Sequence, residues 1–259
     1  MNFGLIVFAF TFWCGFAQSQ TAEQLFQDGV TALQKNDLDL AREHFTASLK
    51  ISPSATSLYN LGLTEYKAKN EGLAIGLWRK ALVLDPTNDD LQHAIGFAEK
   101  ALPQQPISRG SDLFESFHQS FLSQTSLTSL IVVNLALLAF AGWILIRYLA
   151  LKSRSIENEE PSPPIPYIGF LFIVGLLASV VVLGAKAYDL TVTRATVTDE
   201  KVEVKTSPDS QAATLFELFE GLEVIVRQSH EGWMQVTYPG GLSGWVPAKA
   251  VLVSSGRPQ

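Results

Sequence analysis

Residue types that commonly carry catalysis are few in this sequence and widely spaced. Its four histidines do not stand in the spacing of a metal site or a proton relay; they are His44, His93, His118 and His230. The only cysteine, Cys14, lies in an apolar run near the start of the sequence. There is no HExxH pair, no phosphate-binding glycine loop and no nucleophile elbow. We therefore expect no catalytic residue, no metal and no cofactor, which leaves binding side chains as the candidates for function.

One group of side chains has the spacing of a protein-binding surface. Tyr59, Leu63 and Tyr66 fall at positions i, i+4 and i+7, so they share one face of a helix, with Lys67 beside them. Aromatic residues on such a face offer large contact areas at small entropic cost. The matching positions of an earlier helix are Phe26, Val30 and Leu33. These residues predict a partner-binding groove, with packing against a neighbouring helix as the alternative role of each.

A second group consists of three aromatic residues near the C-terminus, Trp233, Tyr238 and Trp245. Tryptophan and tyrosine combine a large apolar surface with one polar group, which suits them to ligand binding. We predict that the three form a ligand-facing patch. One of the two tryptophans is expected to lie in the core instead, and the sequence does not decide which.

The first group lies in an internal repeat of 34 residues. Residues 55–88 read ATSLYNLGLTEYKAKNEGLAIGLWRKALVLDPTN, and residues 22–54 form a similar copy that is one residue shorter. Gly62 lets two antiparallel helices approach each other, and Trp78 fills the space between them. Pro86 ends the second helix.

This pattern resembles the tetratricopeptide repeat. Residues 89–102 begin a third copy that has no second helix, as is typical of the helix that caps a solenoid. The resemblance implies an all-α solenoid over residues 20–102, made of two repeats plus a capping helix. The first helix of each repeat would line its concave face.

The second group lies in residues 194–254, where short strands are separated by glycine, proline and aspartate. Four motifs follow in order: V-x-V-x-x-x-P, L-x-x-G-x-x-V, G-W-x-x-V and G-x-x-G-W-V. They resemble a bacterial SH3-like domain, and the resemblance implies an all-β barrel. The matching residues are Val202, Val204, Pro208, Gly221, Val224, Trp233, Val236, Gly244, Trp245 and Val246.

Two uncharged runs separate these domains, residues 127–146 and 165–185. Each has about 20 residues, enough for roughly 30 Å of helix. The flanking soluble segments are too small to enclose them, so we predict two transmembrane helices in a multidomain membrane protein. Residues 103–126 are predicted to form a linker or amphipathic segment before the first span.

The distribution of cations predicts the orientation in the membrane. Arg147, Lys152 and Arg154 crowd the segment 147–164, whereas residues 111–126 contain no lysine or arginine. Cytoplasmic loops attract cations, so we predict that 147–164 is cytoplasmic and that both soluble domains lie outside.

The N-terminal run independently predicts export. Residues 1–19 have the apolar core of a signal peptide, with cleavage after Ser19 or after Ala17. An uncleaved anchor is the alternative, because the run is preceded by no lysine or arginine. Either form would carry residues 20–126 across the bacterial cytoplasmic membrane.

The whole order of modules resembles the BatE family of the bacterial aerotolerance (Bat) operon. The resemblance implies association with membrane-anchored von Willebrand A-domain Bat proteins and, through them, with a cytoplasmic MoxR-type AAA+ ATPase. It also implies a role in stress tolerance, and it transfers no catalytic residue.

Two hypotheses for function follow. The first is a non-enzymatic scaffold in the membrane lipid that binds partner proteins in the cell envelope. The alternative is a cell-wall sensor whose SH3-like domain binds peptidoglycan. A peptidoglycan hydrolase is excluded because the 259 residues leave no room for its catalytic domain. The net charge of −6 argues against nucleic acid as a partner.

Overall fold

A computed structural model describes residues 21–102, 113–238 and 241–256 of the chain. The predicted signal segment, residues 1–19, and its Cys14 lie outside the described residues, as does the first part of the predicted linker. In chain order the described residues form a helical domain, a pair of long helices and a β domain.

Five helices make up the helical domain: α1 (Ala22–Gln34), α2 (Leu38–Ile51), α3 (Ala55–Lys67), α4 (Glu71–Leu84) and α5 (Asp89–Ala101). Consecutive helices pack against each other. Side-chain caps fix where they begin. Thr21 forms a capping box with Gln24, and Asp37, Ser54 and Asn88 each accept a hydrogen bond from the backbone of the following turn.

Within each of the two helix pairs, a glycine of the first helix faces an aromatic ring of the second. A methyl group at Gly29 would come within 2.7 Å of the Phe45 ring, and one at Gly62 would overlap the indole of Trp78. Both rings are buried. Trp78 Nε1 also donates a hydrogen bond to the carbonyl oxygen of Tyr59 at 3.0 Å. The prediction that Trp78 fills the space between paired helices is confirmed.

An ion pair joins the two helix pairs. Arg42 on α2 holds the buried carboxylate of Glu65 on α3, with 3.1 Å between Nη2 and Oε2. Asn70 Nδ2 donates to the same carboxylate at 2.7 Å. The hydrogen bond with Glu65 and its negative charge raise the pKa of Arg42 above its usual value.

Two long helices follow, α7 (Leu127–Glu157) and α8 (Tyr167–Asp189), and both are long and apolar enough to cross a membrane. They pack side by side as an antiparallel hairpin. Asn134 Nδ2 donates to Ser179 Oγ at 2.9 Å, and the rings of Phe140 and Phe172 stack with centroids 5.6 Å apart. The hairpin therefore combines an interhelical hydrogen bond with aromatic packing.

Helix α7 is longer than the predicted span. It continues without interruption from Ile146 to Glu157, so the cations of the predicted loop lie on a helix. Irregular chain begins at Asn158. The prolines that follow, between residues 161 and 166, oppose helical backbone in the residues before them. The predicted cytoplasmic loop is thus helical over its first part and irregular over its second.

The predicted linker is also partly helical. It contains a short helix, α6 (Leu113–Phe117), and a π-helical turn (His118–Leu122). This segment contacts the end of α8. Lys186 Nζ donates to the carbonyl oxygen of Leu122 at 2.6 Å, and His118 Nδ1 lies 2.7 Å from Asp189 Oδ1.

The β domain is one antiparallel sheet with the order β3-β2-β6-β5-β4-β1-β7. Its strands are β1 (Arg194–Val197), β2 (Lys201–Lys205), β3 (Thr214–Phe219), β4 (Glu223–His230), β5 (Trp233–Tyr238), β6 (Leu242–Pro247) and β7 (Val251–Ser255). Among the described residues no ladder joins β3 to β7, so the sheet is open where the sequence predicts a closed barrel. Its inner face buries an apolar core that includes Val204, Val224, Val236 and Val246.

The helical domain and the β domain are in direct contact, which the sequence did not predict. Helix α4 packs against β1 and β7. A methyl group at Gly76 would meet Leu252 Cδ2 at 3.0 Å and Thr196 Cβ at 3.3 Å. The backbone N–H of Gly72 donates to Glu220 Oε2 at 3.1 Å. Two glycines of α4 thus allow the sheet to approach closely.

Candidate binding surfaces

The inner helices of the helical domain, α1, α3 and α5, place equivalent residues in register. Positions 30, 63 and 97 correspond, because the helices begin 33 and 34 residues apart at 22, 55 and 89. Val30 and Leu63 are partly buried against the core, and Phe97 is 66% exposed. We call Val30, Leu63 and Phe97 the apolar row. It is a candidate for contact with a partner.

Two predicted groove residues, Tyr59 and Tyr66, flank the indole of Trp78. Their ring centroids lie 6.4 and 5.9 Å from it. Both are partly buried, so each combines core packing with an accessible edge. The two roles that the sequence left open are therefore not exclusive at these positions. Lys67, at the end of α3, is exposed.

The corresponding residues of α1 differ. Phe26 is partly buried and its ring lies 5.8 Å from that of Phe45, in the same relation as Tyr59 and Trp78. Leu33 is only 8% exposed and belongs to the buried cluster shared by all five helices. The assignment of Leu33 to the groove is therefore wrong, because the helical core encloses its side chain.

Phe97 is the surface residue that the sequence analysis missed. It contacts Tyr66 edge-on, with ring centroids 6.0 Å apart, and so extends the aromatic surface from α3 onto α5. The signal was its place in the third copy of the repeat, two residues after Ile95. Because that helix was predicted to be a solenoid cap, its exposed face was not predicted to bind a partner.

The aromatic residues of the β domain divide between its two faces. Trp245 pairs with Gln235, and Trp233 lies two residues from Gln235 on the same strand, so both tryptophans share one face. Both are partly exposed, and neither is part of the buried core. Tyr238 is 1% exposed and lies in that core. The predicted three-residue patch is therefore reduced to Trp233 and Trp245, and the expectation that one tryptophan is core is wrong.

A polar cluster borders this patch. Lys205, which pairs with Trp245, places Nζ 2.6 Å from Glu203 Oε2 and 3.0 Å from Thr214 Oγ1. Thr214 donates to the same carboxylate at 3.0 Å. Hydrogen bonds from Lys205 and Thr214, with the positive charge of Lys205, hold the pKa of Glu203 below its usual range. The outer face thus offers two indole rings beside a charged hydrogen-bonding group.

A cavity of about 550 Å³ lies where the helical domain, the β domain and the ends of α7 and α8 meet. A buried charge cluster lines it. Asp189 Oδ1 lies 2.7 Å from His118 Nδ1 and 3.0 Å from Arg194 Nη2, and Lys186 Nζ is 3.7 Å from Asp189 Oδ2. Since these charged and titratable groups lie within ion-pair distance across three segments, the cluster connects the segments. In the described part of the chain no group of histidine, cysteine and acidic residues has the arrangement of a metal site.

The β domain is a small antiparallel domain with both tryptophans on its outer face. Residues 199–252 match the bacterial SH3 domain family. The match extends from just before β2 to the start of β7 and includes both tryptophans of the outer face. Comparison with curated proteins finds no match to the chain.

Proposed function

We propose that this protein is a non-enzymatic, two-pass membrane scaffold that binds partner proteins outside the cytoplasm. The observation that carries the proposal is the apolar row of the helical domain, Val30, Leu63 and Phe97. Phe97 is 66% exposed, so its ring is available for contact with a partner. Its contact with Tyr66 makes the exposed surface continuous with the aromatic groups around Trp78.

The two-pass arrangement is supported by the antiparallel pairing of α7 and α8. A hairpin returns the chain to the side from which it came, and the contact between α4 and the sheet requires both soluble domains to lie on one side. The cations of α7 at 147, 152 and 154 favour the cytoplasm for the opposite end. On this basis the helical domain and the SH3 domain form one unit in the extracytoplasmic space.

The proposed partners follow from the resemblance to the BatE family. They are von Willebrand A-domain Bat proteins, which would reach the helical domain from the same membrane. A MoxR-type AAA+ ATPase would act indirectly, on the cytoplasmic side. Membrane lipid surrounds the hairpin.

Co-purification from detergent-solubilised membranes tests this proposal with the full chain. Phe97→Ser removes the exposed ring and leaves the core intact, whereas changes at Tyr59 and Tyr66 also remove contacts with Trp78. We expect Phe97→Ser to lose most of the von Willebrand A-domain partner. Leu40→Ser is the matched control, because Leu40 is an exposed apolar residue on α2 outside the apolar row. Equal partner recovery from both variants would contradict the groove assignment.

The cell-wall sensor is retained as a second candidate because Trp233 and Trp245 share an exposed face. Tryptophan rings bind apolar faces of sugars and peptides, and the neighbouring Lys205 and Glu203 provide polar contacts. Peptidoglycan presents both chemistries.

A further inference from the structure

The segment that precedes α7 is fixed to the end of α8 by two polar contacts. Lys186 Nζ donates to the carbonyl oxygen of Leu122, and His118 Nδ1 meets Asp189 Oδ1. Leu122 itself is fully buried. The helix α6 and its π-helical turn therefore hold a defined position beside the hairpin.

The same segment exposes a pair of aromatic rings. Phe117 and Phe121 stack with centroids 5.6 Å apart, and they are 38% and 42% exposed. Nearby, Phe114 contacts Tyr188 edge-on at 5.4 Å, and Tyr188 is itself exposed. These four residues, Phe114, Phe117, Phe121 and Tyr188, are called the aromatic collar below.

The position of the collar relates it to a bilayer. Lys186 directly follows the uncharged run that ends at residue 185, and α7 begins at Leu127, five residues after Leu122. The collar therefore lies at the level where the apolar parts of both long helices end. Aromatic side chains are favoured at this depth, because the boundary between headgroups and acyl chains accommodates apolar rings beside polar groups.

We propose that the aromatic collar is an interfacial membrane anchor, with the rings of Phe117 and Phe121 inserted at the extracytoplasmic boundary of the bilayer. The inference rests on the two-pass arrangement of the proposed function. Its consequence is mechanical. Because Leu122 accepts a hydrogen bond from Lys186 and His118 lies beside Asp189, the anchor is fixed to α8 and holds the helical domain and the SH3 domain close to the membrane surface, where membrane-bound partners are found.

The chemistry of the segment also predicts its lipid dependence. Residues 111–126 contain no lysine or arginine and include Asp112 and Glu115, so insertion depends on apolar transfer and not on attraction to anionic headgroups. The collar should insert in purely zwitterionic vesicles, and anionic lipid should not increase its insertion.

Site-directed spin labelling of the full chain in phosphatidylcholine vesicles tests the proposal. The chain has one cysteine, so Cys14→Ala provides a background without thiols. Single labels are placed by Phe121→Cys, Ser120→Cys, Leu138→Cys and Ser229→Cys. Leu138 is an exposed residue of α7 within the apolar run, and Ser229 is an exposed residue of β4. Ser120 is the exposed neighbour of Phe121 and controls for the general location of the segment.

The measured quantity is the label's accessibility to oxygen, which concentrates in lipid, divided by its accessibility to a water-soluble nickel chelate. We expect the ratio at 121 to lie between those at 229 and 138, to exceed the ratio at 120, and not to increase with anionic lipid. A ratio at 121 equal to that at 229, with 138 in lipid, would overturn the anchor and leave the spans intact. Low accessibility of the label at 121 to both reagents would show that protein covers this position, and would also overturn the anchor. A water-accessible label at 138 would refute the spans and the anchor together.

Discussion

Arg79 of helix α4 donates a hydrogen bond from Nη1 to the carbonyl oxygen of Gly221, 2.9 Å away in the turn between β3 and β4. The same nitrogen donates to Thr196 Oγ1 at 3.0 Å, and Nη2 pairs with Glu99 on α5. The Arg79 side chain is 11% exposed. One guanidinium therefore links the helical domain to the SH3 domain, and the two domains form a single unit.

Replacing Arg79 should weaken this unit. Arg79→Ala leaves the carbonyl oxygen of Gly221 without its donor in a buried interface, which costs about 1–3 kcal/mol. We expect a lower thermal unfolding temperature for the full chain in detergent. Lys80→Ala is the control, since Lys80 is the exposed neighbour on the same helix. Equal stability of the two variants would contradict an energetic role for the contact.

The glycines of the inner helices provide a matched pair of tests. Gly62 and Gly96 occupy equivalent repeat positions, but a methyl group at Gly62 would overlap Trp78, whereas one at Gly96 would meet nothing within 4 Å. Gly62→Ala should destabilise the helical domain by about 1–3 kcal/mol through overpacking. Gly96→Ala should stabilise it by up to about 1 kcal/mol through helix propensity. Thermal unfolding followed by circular dichroism should show shifts of opposite sign, and shifts of the same sign would be inconsistent with the helix crossing.

The repeat pattern predicted the local packing well because that packing depends on residues close in sequence. Gly62 and Trp78 are 16 positions apart, and a short side chain opposite a large one is visible in the sequence. The contact between Arg79 and Gly221 spans 142 positions. The periodic pattern of residues within one domain cannot predict such a contact, because the contact depends on how two separately folded domains meet.

The error at Tyr238 has a different origin. Successive side chains of a strand point to opposite faces, so Trp233 and Tyr238, five positions apart on β5, cannot share one. The alternation of side chains along the strand was sufficient to place Trp233 and Tyr238 on opposite faces. The prediction grouped them only because both are aromatic.

The long continuation of α7 was missed because the predicted span ends at the first charged residues. Charged residues end an apolar run, but they do not end a helix.

The orientation of the hairpin can be tested with fusions to a reporter enzyme that is active only outside the cytoplasm. We expect activity after residue 110 or after residue 259, and none near residue 156, because the cations of α7 at 147, 152 and 154 favour the cytoplasm. Expression of each fusion is measured by immunoblot. Activity at 156 together with silence at 110 would invert the proposed topology and place both binding surfaces in the cytoplasm.

The last prediction concerns Trp233 and Trp245 and separates the two functional hypotheses. Both side chains lie on the outer face of the sheet, apart from the core residues Val236 and Tyr238, so Trp233→Ala with Trp245→Ala should leave the SH3 domain folded. If the domain senses the cell wall, the full chain in detergent should sediment with purified sacculi, and the double variant should remain in solution. Leu242→Ala is the control, because Leu242 is an exposed apolar residue three positions from Trp245, on the opposite face of β6. Sedimentation of the double variant at the level of this control would assign peptidoglycan binding elsewhere. If the unmodified chain itself stays in solution, the sensor is excluded, and the scaffold that binds through Phe97 remains.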